Sequence, residues 1–432
     1  MEQMLLGEIL VNFHLLTQEE LDRCLKIQEQ MDPRMPLGEI IVQRGLLEQG
    51  VIDTVLTAQR KELDTQRCKL TVGERELARM LENASSYEFL EAIKQLGVSD
   101  FYLTSGSSPA VRLHGRLVDL PVKPLPFRQC RNLIFSLLTR EQMATYFERK
   151  SLDTGISIPG VGRFRVNVFR HLGGIGAVFR VLPDSILPFE DLGLPEVVKT
   201  FSEFKSGLVL ITGTTASGKT TTLASLIDLI NRSRRAHVIT LEDPVEQVHR
   251  SDKALVTQRE INSHTLSYPD ALRAALREDP DILVVGEMRD PETMAVALTA
   301  AETGHLVFGT LHTRTAHNTV VRIIDQFPQQ KRQHVRTMIA GVLRAVICQE
   351  LIPHVDGEGR SLAAEVMVVN PAISNLIREG REWQIPMVMQ MNQASGSQTM
   401  DDALHRLVRQ RKVPIEEALL RAAEKERFMA PV

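Results

Sequence analysis

One glycine-rich segment carries the residue types that bind phosphate. Its members are Gly213, Thr214, Thr215, Ala216, Ser217, Gly218, Lys219, Thr220 and Thr221. In such a loop successive backbone N–H groups point at phosphate oxygens, and the following helix adds the positive end of its dipole. Lys219 would reach the β- and γ-phosphates, and Thr220 would ligate Mg²⁺. The segment predicts a bound nucleoside triphosphate with Mg²⁺.

The residues on either side of this segment have the character that the loop requires. Gly207–Thr212 is an apolar run of strand type, and a polar-capped helical stretch follows the loop. A chance glycine-rich turn that ends in Lys-Thr is the alternative, but it gives no reason for a strand before it and a helix after it. Strand, loop and helix in this order favour a phosphate-binding loop.

Acidic residues follow two further apolar runs. Residues 238–241 are a β-branched run that leads into Glu242 and Glu246, and residues 281–285 lead into Glu287. For a single acid in such a place, capping a helix or forming a turn is a common alternative. Two acid-terminated strands after one phosphate loop instead predict that Glu242 and Glu246 polarise water and that Glu287 helps to hold Mg²⁺.

A third apolar strand has a histidine at each end, His305 and His312. Both are predicted to take part in catalysis. The alternative is that each is an ordinary strand-end histidine whose ring is satisfied by nearby groups, since neither has a metal-spaced partner.

Two arginines alternate with apolar residues in the segment 163–169. This period of two places Arg163 and Arg165 on one face of a strand. They could form a solvated strand face. The functional interpretation is that they reach a neighbouring subunit's nucleotide as arginine fingers, which neutralise charge on the transferring phosphoryl group. Arg180 is a weaker candidate for that role.

Residues 5–59 contain two copies of one small unit. Leu6-Gly-Glu-Ile9 recurs as Leu37-Gly-Glu-Ile40, and apolar positions three and four apart suit two short helices in each copy. The first interpretation is a helical docking domain.

Bulk properties describe a multidomain globular protein. The chain has 432 residues, 43% hydrophobic and 24% charged, with a net charge of −3. We predict a helical repeat domain at 1–62, a charged linker at 63–84, a small α+β domain at 85–190 and, at 191–432, a domain that carries the phosphate loop and has a helical C-terminal region. No basic stripe indicates nucleic acid.

Neither a structural metal site nor membrane insertion is indicated. The four cysteines are scattered and lack the paired spacing of zinc sites. The N-terminus lacks the features of a signal peptide, and no apolar stretch reaches the length of a membrane helix. We expect a cytoplasmic protein that reaches any membrane only through a partner.

The phosphate loop, the two acid-terminated strands and the strand between His305 and His312 together resemble the secretion-ATPase superfamily of type II secretion and type IV pilus motors. The resemblance covers residues 85–425. Residues 242–246 match its Asp box, residues 282–287 its Walker B segment, and residues 304–313 its His box. The resemblance implies an α/β fold, with a RecA-like P-loop ATPase domain after a PAS-like α+β domain. It implies ATP as substrate, Glu246 as general base with Glu242 as second candidate, and Glu287 near Mg²⁺.

The N-terminal repeat is similar to the N-terminal domain of secretion and pilus-assembly ATPases, some of which bind cyclic di-GMP. Leu5 and Pro36 stand where those repeats carry arginine, and neither can stack on guanine or pair with phosphate as arginine does. Binding of cyclic di-GMP is the second interpretation of the repeat, and these two replacements argue against it.

The C-terminal part resembles the PilT-type retraction motors. Residues 372–379 look like the signature helix of that branch, with Ser374 in place of the usual arginine, and residues 398–401 match its tail. The resemblance implies a homohexamer that drives pilus retraction through an inner-membrane platform protein, with a paralogous retraction ATPase as a candidate partner. A pilus-assembly or secretion motor and a weakly active regulatory ring subunit are the alternatives.

Overall fold

The computed structural model describes residues 16–30, 37–47, 86–95, 97–113, 116–120, 122–355 and 359–429. By its contacts the chain divides into two compact units. The first comprises residues 1–136 and 172–175, and the second comprises 137–171 and 176–432. The predicted domain boundaries at 62 and 84 fall outside the described residues, and the one at 190 stays a prediction.

In the first unit, two short helices come from the two copies of the repeat, α1 (Gln18–Gln30) and α2 (Leu37–Gln43). Thr17 begins α1, because its hydroxyl and backbone N–H both bond the carboxylate of Glu20. The buried core between the helices consists of Leu16, Leu21, Cys24, Leu37, Ile40 and Ile41. The rest of the repeat, including Leu5 and Pro36, lies outside the described residues, so its binding of cyclic di-GMP stays a prediction.

The remainder of the first unit combines helices with short antiparallel strands. Phe89 packs edge-on against Phe101, with 4.6 Å between ring centroids. The strands pair in the order β1, β2, β3. The elements are α3 (Ser86–Gln95), β1 (Asp100–Thr104), β2 (Ala110–Leu113), β3 (Arg116–Asp119) and α4 (Phe127–Phe135).

The second unit begins with a helix and two strands, α5 (Arg140–Arg149), β4 (Ser151–Ile158) and β5 (Gly162–His171). A third strand, β6 (Gly174–Val181), follows, and all but its first two residues belong to this unit. Strand β5 pairs antiparallel with β4. Phe164, Val166 and Val168 are buried on one face of β5, so Arg163 and Arg165 share the opposite face as the alternation predicts.

Within the described residues, the rest of the second unit is built on a seven-stranded sheet in the order β13-β12-β7-β11-β10-β8-β9. All neighbours are parallel except β12 and β13. Its strands are β7 (Gly207–Gly213), β8 (His237–Glu242), β9 (Leu255–Glu260), β10 (Ile282–Val285), β11 (Leu306–Leu311), β12 (Leu343–Pro353) and β13 (Arg360–Val368).

Helices cover both faces of this sheet. The central strands are buried throughout, which explains their continuous apolar sequences. The helices are α6 (Val197–Thr200), α7 (Lys219–Ser233), α8 (Tyr268–Ala275), α9 (Pro291–Glu302), α10 (Ala316–Asp325), α11 (Gln329–Val342), α12 (Pro371–Glu379), α13 (Ile385–Met391), α14 (Met400–Arg409), α15 (Ile415–Arg421) and α16 (Glu426–Met429). None of the helices described is long and apolar enough to cross a membrane. The predicted α/β class is confirmed.

Candidate active site

The phosphate loop joins β7 to α7 through residues in the left-handed region of backbone space. Gly213 has a φ of 145°, Ala216 of 62° and Gly218 of 91°. A Cβ on Gly213 would lie 2.3 Å from the carbonyl oxygen of Gln349. Gly218 is the N-cap of α7 and provides no side-chain cap, so the first N–H groups of the helix are left for another acceptor. The loop therefore has the backbone shape of an anion site.

Lys219 lies folded over this loop. Its Nζ donates to the carbonyl oxygens of Gly213 and Thr214, each at 2.8 Å. Burial lowers the pKa of Lys219, and the charge of Glu287 opposes that shift. The hydroxyl of Ser217 is buried and has no hydrogen-bond partner among the described residues. An ammonium group and an orphaned hydroxyl beside free helix N–H groups fit a phosphate.

The order of the strands brings the other predicted segments to the same edge of the sheet. Because β7, β11, β10 and β8 are adjacent and parallel, their carboxyl ends lie side by side. The phosphate loop follows β7, His312 follows β11, Glu287 follows β10, and Glu242 ends β8. Ligands of open α/β sheets bind at this edge.

Glu287 is held by two side chains. Its Oε2 lies 2.6 Å from Nη2 of Arg289, and its Oε1 lies 3.0 Å from Nε2 of His312. Burial alone would raise the pKa of Glu287, but Arg289 and His312 together hold it below the usual value. A carboxylate that stays ionised and is fixed in orientation is suited to a divalent cation.

The two glutamates of the 242–246 segment have different surroundings. Oε1 of Glu242 accepts hydrogen bonds from Thr240 at 2.7 Å and from Gln258 at 3.1 Å. Burial raises the pKa of Glu242, although these bonds oppose the shift. Glu246 is more open, with 29% of its side chain exposed, and its Oε1 lies 3.2 Å from Nη1 of Arg165. Of the two, Glu246 has the carboxylate more accessible to a water molecule.

The predicted arginines are both engaged within their own chain. Arg165 contacts Asp153 at 2.7 Å as well as Glu246. Arg163 contacts Glu260 at 2.9 Å and donates to the carbonyl oxygen of Val245 at 2.7 Å.

The structure separates His305 from this edge. His305 precedes β11, and because a strand rises about 3.3 Å per residue, it lies about 23 Å from His312 at the opposite edge. Its Nδ1 is 3.0 Å from the carbonyl oxygen of Ala300 and 3.2 Å from the hydroxyl of Thr303. The geometry thus supports the alternative, an ordinary satisfied histidine, in place of a catalytic role.

Sequence reasoning did not identify three residues that hold the site, Asp153, Gln258 and Glu260, and it assigned no role to Arg289. Gln258 and Glu260 lie in β9, an edge strand of half-buried residues that has no apolar run to mark it. Asp153 reaches Arg165 across two paired strands. Arg289 had a signal, since it lies two residues after Glu287.

Comparison with known proteins agrees with this geometry. Residues 156–420 match the model of the family described as type II/IV secretion system protein. A twitching motility protein of Neisseria gonorrhoeae is 46% identical over 337 residues, 77% of this chain and 90% of that protein. The type IV pilus retractation ATPase PilT of Pseudomonas aeruginosa is 45% identical over 341 residues, 79% of this chain and 99% of that protein.

A solved structure is also similar. The crystal structure of the pilus retraction motor PilT with bound ADP has a TM-score of 0.73 and 45% identity, covering 78% of this chain and 98% of that one. The chain therefore belongs to the type II/IV secretion system family, in its branch of PilT-type pilus retraction ATPases, and is an ATP hydrolase.

Proposed function

We propose that this chain is a motor that couples ATP hydrolysis to retraction of type IV pili. The observation that carries the proposal is the meeting of three groups at one sheet edge: the Lys219 loop, the Glu287–His312 contact and the 242–246 segment. The similarity to a twitching motility protein and to a retraction ATPase supports retraction as the work that this hydrolysis drives.

The residues present fit ATP with Mg²⁺. Magnesium ATP supplies the phosphoanhydride bond that is broken and a divalent charge beside it. The loop N–H groups and Lys219 would hold the phosphates, and the Thr220 hydroxyl with Glu287 would hold the metal. His312 and Arg289 would fix the Glu287 carboxylate in one orientation.

Glu246 would act as general base. Its carboxylate would orient a water molecule and accept a proton from it. Arg165 is paired with Glu246 in this structure. During hydrolysis its guanidinium would move toward the negative charge on the phosphoryl group, either in its own chain or in a neighbour's site. The Asp153 carboxylate holds Arg165 beside Glu246 before that movement.

We place the working protein in a homohexamer at the cytoplasmic face of the inner membrane, where it acts on a platform protein of the pilus. A ring would supply the arginine that reaches a nucleotide from outside the P-loop fold. A paralogous retraction ATPase is a candidate second motor.

A strain that lacks this chain tests the proposal. Loss of retraction predicts abundant surface pili and no twitching, and the chain with Lys219→Ala should not restore movement. Cells without pili would instead identify a motor for pilus assembly. Normal pili with normal twitching would overturn a role in either process.

A further inference from the structure

The residue before the proposed base is held through both of its backbone polar groups. The N–H of Val245 donates to Oε2 of Glu260 at 3.1 Å, and its carbonyl oxygen accepts from Nε of Arg163 at 2.7 Å. The two side chains also bond each other, with 2.9 Å between Nη2 of Arg163 and the same Oε2 of Glu260. One ion pair thus fixes the chain immediately before Glu246.

This ion pair is itself tightly held. The Glu260 side chain is 6% exposed and that of Arg163 is 18% exposed. The Ser263 hydroxyl donates to Oε1 of Glu260 at 3.0 Å, and Nη1 of Arg163 donates to the Ser157 hydroxyl at 2.7 Å. Buried ion pairs add little net stability, because desolvation offsets their attraction. What this pair contributes is the geometry that it imposes on Val245.

The neighbouring strand leaves room for this contact. A Cβ on Gly155 of β4 would lie 2.3 Å from Nη2 of Arg163 and 3.1 Å from Oε2 of Glu260. Gly155 is not among the glycines with positive φ. The backbone conformation of this residue is therefore open to residues other than glycine. Glycine is required because the Arg163 side chain occupies the space that a Cβ would need.

We infer that Arg163 and Glu260 are positioning residues that fix Val245, and through it Glu246, for ATP hydrolysis in their own chain. The inference rests on the proposed function, since it takes Glu246 to be the general base. It assigns Arg163 a different part from that of an arginine finger, and leaves Arg165 as the arginine that can approach a phosphoryl group.

Hydrogen exchange of the full chain without nucleotide tests the contact directly. Glu260→Gln and Gly155→Ala should each speed exchange of the Val245 amide, measured in a peptide that covers 242–250, by about 10-fold or more. Glu278→Gln is the matched control, because it breaks the 2.8 Å ion pair of Arg259 on the same strand β9. Exchange that is unchanged in both variants would overturn the inference.

Steady-state kinetics tests the consequence for catalysis. Glu260→Gln and Gly155→Ala should lower kcat for ATP hydrolysis by about 10- to 100-fold, while KM changes by less than about 3-fold. Arg163→Lys should retain more activity than Arg163→Met, because lysine can still donate to Val245. A wild-type chain that does not hydrolyse ATP refutes the proposed function. An active wild type with equally active variants refutes this inference alone.

Mixed subunits separate action within a chain from action between chains. Arg163→Met chains are mixed with Glu246→Gln chains before assay. If Arg163 positions the Glu246 of its own chain, every chain in the mixture lacks either Arg163 or Glu246, and ATP hydrolysis stays low. Recovery on mixing would show that Arg163 acts on a neighbour and would overturn the inference.

Discussion

Arg165 and Glu246 form an ion pair, with 3.2 Å between Nη1 of the arginine and Oε1 of the glutamate. The same guanidinium contacts Asp153 at 2.7 Å. The arginine on β5 and the proposed base therefore contact each other directly. A phosphoryl group that attracts Arg165 would leave the Glu246 carboxylate free to accept a proton.

Glu246→Gln should stop turnover and spare binding. Glutamine keeps the size of the side chain and can still accept a hydrogen bond from Arg165, but it cannot take a proton from water. We expect kcat to fall by about 10²- to 10⁴-fold, and the Kd for ATP to change by less than about 3-fold. Glu350→Gln, which alters another arginine-paired glutamate, is the control. Equal damage to binding and turnover would indicate a structural role for Glu246.

The two histidines around β11 should behave differently. His312→Ala removes a contact to Glu287 and should lower kcat by about 10- to 100-fold. His305→Ala removes only hydrogen bonds at the far edge of the sheet, so it should cost about 1 kcal/mol of stability and leave kcat within about 2-fold. Steady-state ATP hydrolysis and thermal unfolding of both variants decide this. A large loss of kcat in His305→Ala would contradict the placement of the site.

The stability of Glu242→Gln relative to that of the wild type should increase as pH rises. Burial raises the pKa of Glu242 in the folded state above its unfolded value of 4.5. The folded state thus binds this proton more tightly, so the group's contribution to stability is complete below that value and is lost as pH rises through the folded-state pKa. The hydrogen bonds from Thr240 and Gln258 both go to Oε1 of Glu242, so a glutamine carbonyl can keep these two.

Thermal unfolding midpoints at pH 5 and pH 8 measure this effect. The midpoint of Glu242→Gln minus that of the wild type should be larger at pH 8 than at pH 5. Parallel behaviour of Glu242→Gln and the wild type would show that Glu242 titrates normally.

Gly213→Ala should damage both the fold and the loop. A side chain there would meet the Gln349 backbone, and φ at this residue is 145°. We expect a loss of more than about 2 kcal/mol in the free energy of unfolding. Gly160→Ala is the matched control, since that glycine has a φ of 78° and open space around it, so about 1 kcal/mol is expected. Equal losses of unfolding free energy in the two variants, measured by urea unfolding, would mean that the backbone at Gln349 moves aside at little energetic cost.

Much of the sheet edge could be predicted from the sequence. The buried strands β7, β8, β10 and β11 appear as apolar runs, and their acids, loop and histidine follow directly in the chain. Parallel strands place all those ends at one edge, whatever their order. The same rule excludes His305 from that edge, because this histidine stands at the start of its strand.

The supporting contacts could not be predicted in this way. Glu260 ends a half-buried edge strand, and it approaches Arg163 over 97 residues of chain. The pairing of Asp153 with Arg165 depends on the register between β4 and β5, which periodicity alone does not set. Long-range contacts between charged side chains leave no local pattern in the sequence.

Calorimetric titration of the full chain with ATP and Mg²⁺ measures directly whether the Lys219 loop binds the triphosphate. The wild type and Lys205→Ala, which alters an exposed lysine before β7, should bind ATP equally. Lys219→Ala should weaken binding by at least about 10-fold, because the charged hydrogen bonds to phosphate are lost. The claim that the Lys219 loop binds the triphosphate would be contradicted by a wild type without affinity for ATP, or by a Lys219→Ala variant that binds ATP as the wild type does.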